Sequence, residues 1–68
     1  MKKIPVICYA TPQGNTYLAS YGCSTPEENQ AFIQELNENP KKRTDFCKQH
    51  RIKENTVAYF YHHEQEPF

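Results

Sequence analysis

The sequence predicts a single small α+β domain of order ββααβ, with a three-stranded antiparallel sheet covered on one face by two helices. Three observations carry that reading. Residues 4–23 hold two strand-prone runs around a turn, two proline-opened helical segments follow, and residues 56–63 are again rich in β-branched and aromatic side chains. A lone hairpin is only marginally stable, so a third strand gives the two helices a sheet to cover.

The hairpin comes first. Ile4–Ala10 and Thr16–Cys23 flank Pro12-Gln13-Gly14-Asn15, a turn composition between two β-prone runs. Pro5 lacks an N–H and suits the start or free edge of a strand, so full pairing is expected only after it. A helix is predicted over 26–37. Thr25 is the cap, Pro26 is pre-set for the first turn, and Glu28 completes a capping box three residues after Thr25. Phe32, Ile33 and Leu36 recur at helical spacing, with Ala31 beside them. Asn39-Pro40 ends this helix, because the residue before proline is pushed out of the α region. A second, basic helix is predicted over 41–51, with Phe46, Cys47 and His50 on one stripe. The final strand is placed at 56–63, and residues 64–68 are read as a loose tail. The competing reading of the last segment is a helix with Val57, Phe60 and Tyr61 as its buried stripe.

Sixty-eight residues allow one domain with a thin core and leave no room for a nucleotide-binding domain beside a substrate domain. No apolar run approaches the ~20 residues that span a bilayer, and the segment after Met1-Lys2-Lys3 is too short for a signal peptide. A cytoplasmic protein without membrane contact is therefore expected. Eight basic and eight acidic residues cancel, which argues against the uniform positive field of a protein that coats nucleic acid. Six of the eight cations nevertheless fall between positions 41 and 53, just after Glu27, Glu28, Glu35 and Glu38. Three cysteines, Cys8, Cys23 and Cys47, are an odd number, and reduced thiols are the expectation.

Catalytic constellations are weak. Cys47-x-x-His50 with His62-His63 supplies one plausible ligand pair, but adjacent residues on a strand point to opposite faces, so neither a metal site nor another cofactor is expected. Cys47 stands in a basic stretch near His50 without a recognisable catalytic signature around it, and Glu27, Glu28, Glu35, Glu38 and Asp45 read as capping and surface residues. No residue is assigned a catalytic role.

Two sets of residues stand out for binding. On alternating strands Tyr9, Tyr17 and Tyr21 have the parity to share a face, given an odd number of loop residues, and Tyr59, Tyr61 and His63 share a face of the last strand. Tyrosine offers large apolar area with a polar tip, which suits a protein interface. The second set is Lys41, Lys42, Arg43, Lys48, Arg51, Lys53, Asn55 and Thr56. Residues 46–60 resemble the helix-turn-helix pattern, with Cys47 at the small position, Ile52 after the turn, and Val57 and Phe60 in the core. They depart from it at Arg51, where the turn glycine is usual, and at His50. The resemblance implies a recognition helix that presents Asn55, Thr56 and Tyr59 to a DNA or RNA groove, with Lys53 and Arg51 near phosphates. The sequence thus leads to a non-enzymatic binding protein that docks on a larger protein or on a second copy of itself, as a regulator or inhibitor of the kind phages and plasmids use. Its alternative is a nucleic-acid-binding regulator that uses residues 41–61.

Overall fold

The computed structural model describes residues 3–66. In chain order it holds β1 (Ile4–Ala10), β2 (Thr16–Tyr21), α1 (Pro26–Glu38), α2 (Pro40–Gln49), a 3-10 turn (Glu54–Thr56) and β3 (Tyr59–Gln65). The strands form one antiparallel sheet of order β2-β1-β3, so the first strand is the central one. This is the α+β domain the sequence predicts.

Local chemistry sets the boundaries. In the β1–β2 loop, Thr11 N–H donates to the Asn15 carbonyl at 2.8 Å, and Gly14 takes a φ of 89° that other residues adopt at a cost. Thr25 caps α1, its hydroxyl accepting from Glu28 N–H at 3.2 Å. Asn39 both ends α1, donating its N–H to the Glu35 carbonyl, and caps α2, its side chain accepting from the N–H groups of Lys41 and Lys42.

The basic helix stops at Gln49, two residues before the expected end, because Arg51 enters the left-handed region at φ 58°. Ile52 N–H then donates to the Cys47 carbonyl at 2.8 Å and Arg51 N–H to that of Lys48 at 3.3 Å. This is the Schellman closure, with arginine where glycine is usual. The left-handed conformation costs a residue with a Cβ about 1 kcal/mol. Arg51→Gly is therefore expected to raise stability by roughly 0.5–1 kcal/mol, a gain that urea unfolding would detect.

Four sequence expectations shift at the sheet, the first being that β2 ends at Tyr21 instead of Cys23, since its pairing with β1 closes with the Gly22 N–H on the Pro5 carbonyl. The final strand runs over Tyr59–Gln65 instead of 56–63, because Thr56 and Val57 close the preceding turn: their N–H groups donate to the carbonyls of Lys53 and Glu54. Glu64 and Gln65, read as tail, pair with Pro5 and Ile4, which offer them a partner strand. Glu66 follows the strand as an exposed residue without regular structure, and Pro67 and Phe68 lie outside the described residues. Pairing also does not wait for the residue after Pro5. β3 pairs from Ile4 onward, while Pro5 turns its missing N–H toward the end of β2, where its carbonyl accepts from Gly22 N–H at 3.1 Å. A proline thus stands in the central strand at the point where β2 leaves the sheet.

The core lies between the sheet and the helices. Ile7 and Phe60 from the sheet meet Ile33 and Leu36 of α1, Phe46 and Cys47 of α2, and Val57. Phe60 is the centre, with the ring of Phe46 edge-on at 5.3 Å and that of Tyr9 at 6.3 Å. Burial of these side chains supplies the main driving force for folding.

Candidate binding face

Antiparallel partners stand side by side and point the same way, so the register assigns every strand residue to a face. On the helix side the rows are Ile7 with Ser20 and His62, and Tyr9 with Tyr17 and Phe60. On the other side Val6 lies between Tyr21 and His63, Cys8 between Leu18 and Tyr61, and Ala10 between Thr16 and Tyr59, with Ile4 beside Gln65 at the end. Val6, Cys8 and Ala10 are buried yet stand outside the helix-packed core.

Several of the side chains flanking them are exposed, as are Ile4 at the end of β1 and, on the helix side, Tyr17, which is 50% exposed at the β2 edge. Tyr21 is 64% exposed, Tyr59 54%, Leu18 50% and Ile4 40%. At roughly 200 Å² for a whole tyrosine side chain, Tyr21 and Tyr59 alone present about 240 Å². With Leu18 and Ile4 the face reaches the few hundred Å² typical of functional patches on small proteins. No charged residue occurs between Ile4 and Pro26, so two of the three strands carry none, and the charged helices lie on the opposite side of the sheet. At the end of the sheet where β1 begins, Lys3, Ile4, Pro5, Gly22, Cys23, Ser24 and Pro26 line a groove.

The structure divides the five predicted tyrosines. Tyr21, Tyr59 and Tyr61 share the open face, and the rings of Tyr59 and Tyr61 lie 6.1 Å apart. Tyr9 and Tyr17 pair with each other at 5.5 Å on the helix side. The loop has the odd length required, but the register shifts opposite Ile7 and Cys8, where Ala19 is the extra residue of a β-bulge. That single insertion turns Tyr21 over and separates it from Tyr17.

Four cations of the basic set share α2 and two follow it directly, and two of the six are engaged by carboxylates. Lys42 is paired with Glu35, and Arg43 Nε lies 3.6 Å from Glu54, whose carboxylate also accepts from the Thr44 hydroxyl. Lys41 and Lys48 are on α2, Arg51 is in the left-handed stop, and Lys53 precedes the 3-10 turn that contains Asn55 and Thr56. A turn and a strand occupy residues 54–65 in place of the recognition helix that the helix-turn-helix resemblance implies. The alternating β-branched and aromatic side chains of this segment gain a central-strand partner as β3, which outweighs their helical spacing.

The thiols are free, and those of Cys8 and Cys47 are buried, Cys8 on the open side of the sheet and Cys47 in the helix-packed core. Burial pushes the Cys8 thiol above its ordinary range, and a hydrogen bond with Tyr61 pulls it partly back. Cys47 is raised chiefly by burial and secondarily by the Glu54 charge, with Arg43 opposing. Both disfavour the reactive thiolate. His62 and His63 point to opposite faces, and among the described residues no three His, Cys, Asp or Glu side chains gather as a metal site would require. Nor, among the described residues, is any helix long and apolar enough to cross a membrane.

Two residues that hold the sheet to α1 were not singled out in the sequence. Asn29 is fully buried. Its amide N–H groups reach the Val6 carbonyl at 3.1 Å and His62 Nδ1 at 2.7 Å, and its oxygen accepts from Cys23 N–H at 3.3 Å. Asn37 brackets β3: its amide donates to the Phe60 carbonyl and accepts from Phe60 N–H, both at 2.9 Å. In the sequence both read as ordinary polar residues of an amphipathic helix, and nothing local marks them. Comparisons with protein-family models, curated proteins and solved structures found no match.

Proposed function

We propose that this chain is a small non-enzymatic protein of the cytoplasm that docks on a larger protein as a regulator or inhibitor. Its docking surface is the open face of the sheet, centred on Tyr21, Tyr59, Tyr61 and Leu18. One observation carries the reading: among the described residues no helix packs on this apolar, largely uncharged sheet face, while the charged residues are gathered elsewhere. Interface cores are depleted in charge and enriched in tyrosine, which anchors large area at low entropy cost. The partner surface that fits is correspondingly apolar and uncharged.

The test is affinity capture from source cells with the wild type, with Tyr21→Ser/Tyr59→Ser, and with Lys41→Glu/Lys48→Glu. The lysines chosen are those that leave the Lys42–Glu35 and Arg43–Glu54 pairs intact. A protein retained by the wild type and the lysine variant but lost by the tyrosine variant is the expected result. Binding that survives the tyrosine changes, fails with charge reversal and falls steeply with salt would identify a nucleic-acid ligand and overturn the proposal.

A further inference from the structure

The two edges of the sheet are treated differently. On β3 the outward backbone groups of Phe60 are satisfied by the Asn37 amide, so a side chain of α1 stands where a fourth strand would lie. The β3 edge also carries Glu64 beside two histidines, and charge on an edge discourages further pairing.

The β2 edge has neither device. Hydrogen-bonded pairs alternate along an antiparallel ladder. Thr11 N–H bonds to Asn15 at one end of the β1–β2 pairing and Gly22 N–H to Pro5 at the other, so Tyr17 and Ser20 bond inward to β1. Thr16, Leu18 and Tyr21 direct their backbone groups outward. Among the described residues, no protein group accepts from the N–H groups of these three, and only the Tyr21 carbonyl has a partner, the Ser20 hydroxyl. β2 contains no charge and no proline, and the loops on both sides of it are uncharged as well.

From this asymmetry we infer that the β2 edge pairs with the β2 edge of a second copy of this chain. The occupant follows from charge and register. An uncharged edge meets its own copy without repulsion, whereas an acidic or basic strand would gain nothing from it. The outward groups of Thr16 and Leu18 bond to Leu18 and Thr16 of the second copy, about a twofold axis that passes through Tyr17. Tyr17 then faces its own equivalent as a non-hydrogen-bonded pair, where side chains approach most closely. The Ala19 bulge ends the pairing on one side, which makes the contact short and the dimer reversible. The product is a six-stranded sheet of order β3-β1-β2-β2-β1-β3, with all four helices on one side and the two open faces joined on the other. This inference does not depend on the docking proposal.

The test exploits the axis. Tyr17→Lys and Tyr17→Glu each place like charges directly opposite one another, and sedimentation velocity over a range of concentrations should show self-association weakened at least roughly tenfold in each. An equimolar mixture of the two should restore a dimer, which loss of folding cannot explain. Circular dichroism establishes that each variant keeps its fold, and Tyr59→Ser, which acts on the open face alone, should dimerise like the wild type. A wild type that is monomeric at every concentration would overturn the inference. So would Tyr17 variants that associate unchanged, a mixture that fails to re-associate, or a dimer abolished by Tyr59→Ser.

Discussion

Phe60→Ala is expected to lower stability by about 3–5 kcal/mol, enough to leave much of the protein unfolded at room temperature. A core this small rarely supplies more than ~3–5 kcal/mol of net stability, so one large cavity consumes most of it. Phe60 is the point where the layers meet: it is 1% exposed and packs against Phe46 of α2 and Tyr9 of β1. Its backbone is held by Asn37 of α1, so both parts of the residue tie the sheet to a helix. Urea unfolding followed by circular dichroism measures the loss. Tyr59→Ala, one residue away on the open face, should cost less than 1 kcal/mol. Similar losses at both positions would mean that the two faces are wrongly assigned.

Asn29→Leu should cost about 2–4 kcal/mol although it keeps the branched outline of the side chain and adds apolar surface, since it removes the amide's hydrogen bonds and overfills a buried site. The Val6 carbonyl would lose its partner in a buried position, and the part-buried Cys23 N–H and His62 Nδ1 would lose theirs as well. Gly22 provides the internal check. A Cβ at Gly22 would collide with the Asn29 amide, so Gly22→Ala alone should be strongly destabilising. In an Asn29→Ala background the same change should cost much less, since the colliding group is gone. The two substitutions are expected to be non-additive, and a double-mutant cycle by thermal or urea unfolding reads this directly. Additive losses would mean that Gly22 and Asn29 are not in contact.

These residues mark where the sequence was legible. Thr25-Pro26 and Asn39-Pro40 announce helix ends through chemistry confined to a few neighbouring residues, and both junctions form as that chemistry dictates. The β-prone character of the last segment was equally local. Register was not. Tyr21 changes face because one residue, Ala19, bulges out of β2, and nothing in Thr16–Tyr21 marks Ala19 over its neighbours. Likewise Asn29 reads as an ordinary polar helix residue until the fold places Val6, Cys23 and His62 around it, partners up to thirty-three positions away. Arg51 lies between these cases. Its place after a helix was visible, but its left-handed conformation shows only in the bonds closed by Ile52 and Arg51 N–H groups.

The central claim is that the sheet presents one covered face and one open face, with Tyr21, Tyr59 and Leu18 on the open side. The most direct measurement is the attenuation of assigned methyl and aromatic NMR signals by a neutral paramagnetic co-solute, at a concentration where the chain is monomeric. Leu18, Tyr21 and Tyr59 should be strongly attenuated, while Ile7, Leu36 and Phe60 stay protected. Attenuation of Phe60 with protection of Tyr59 would mean that β3 is displaced by one residue, and protection of all six would mean that the face is covered; either result would contradict the account.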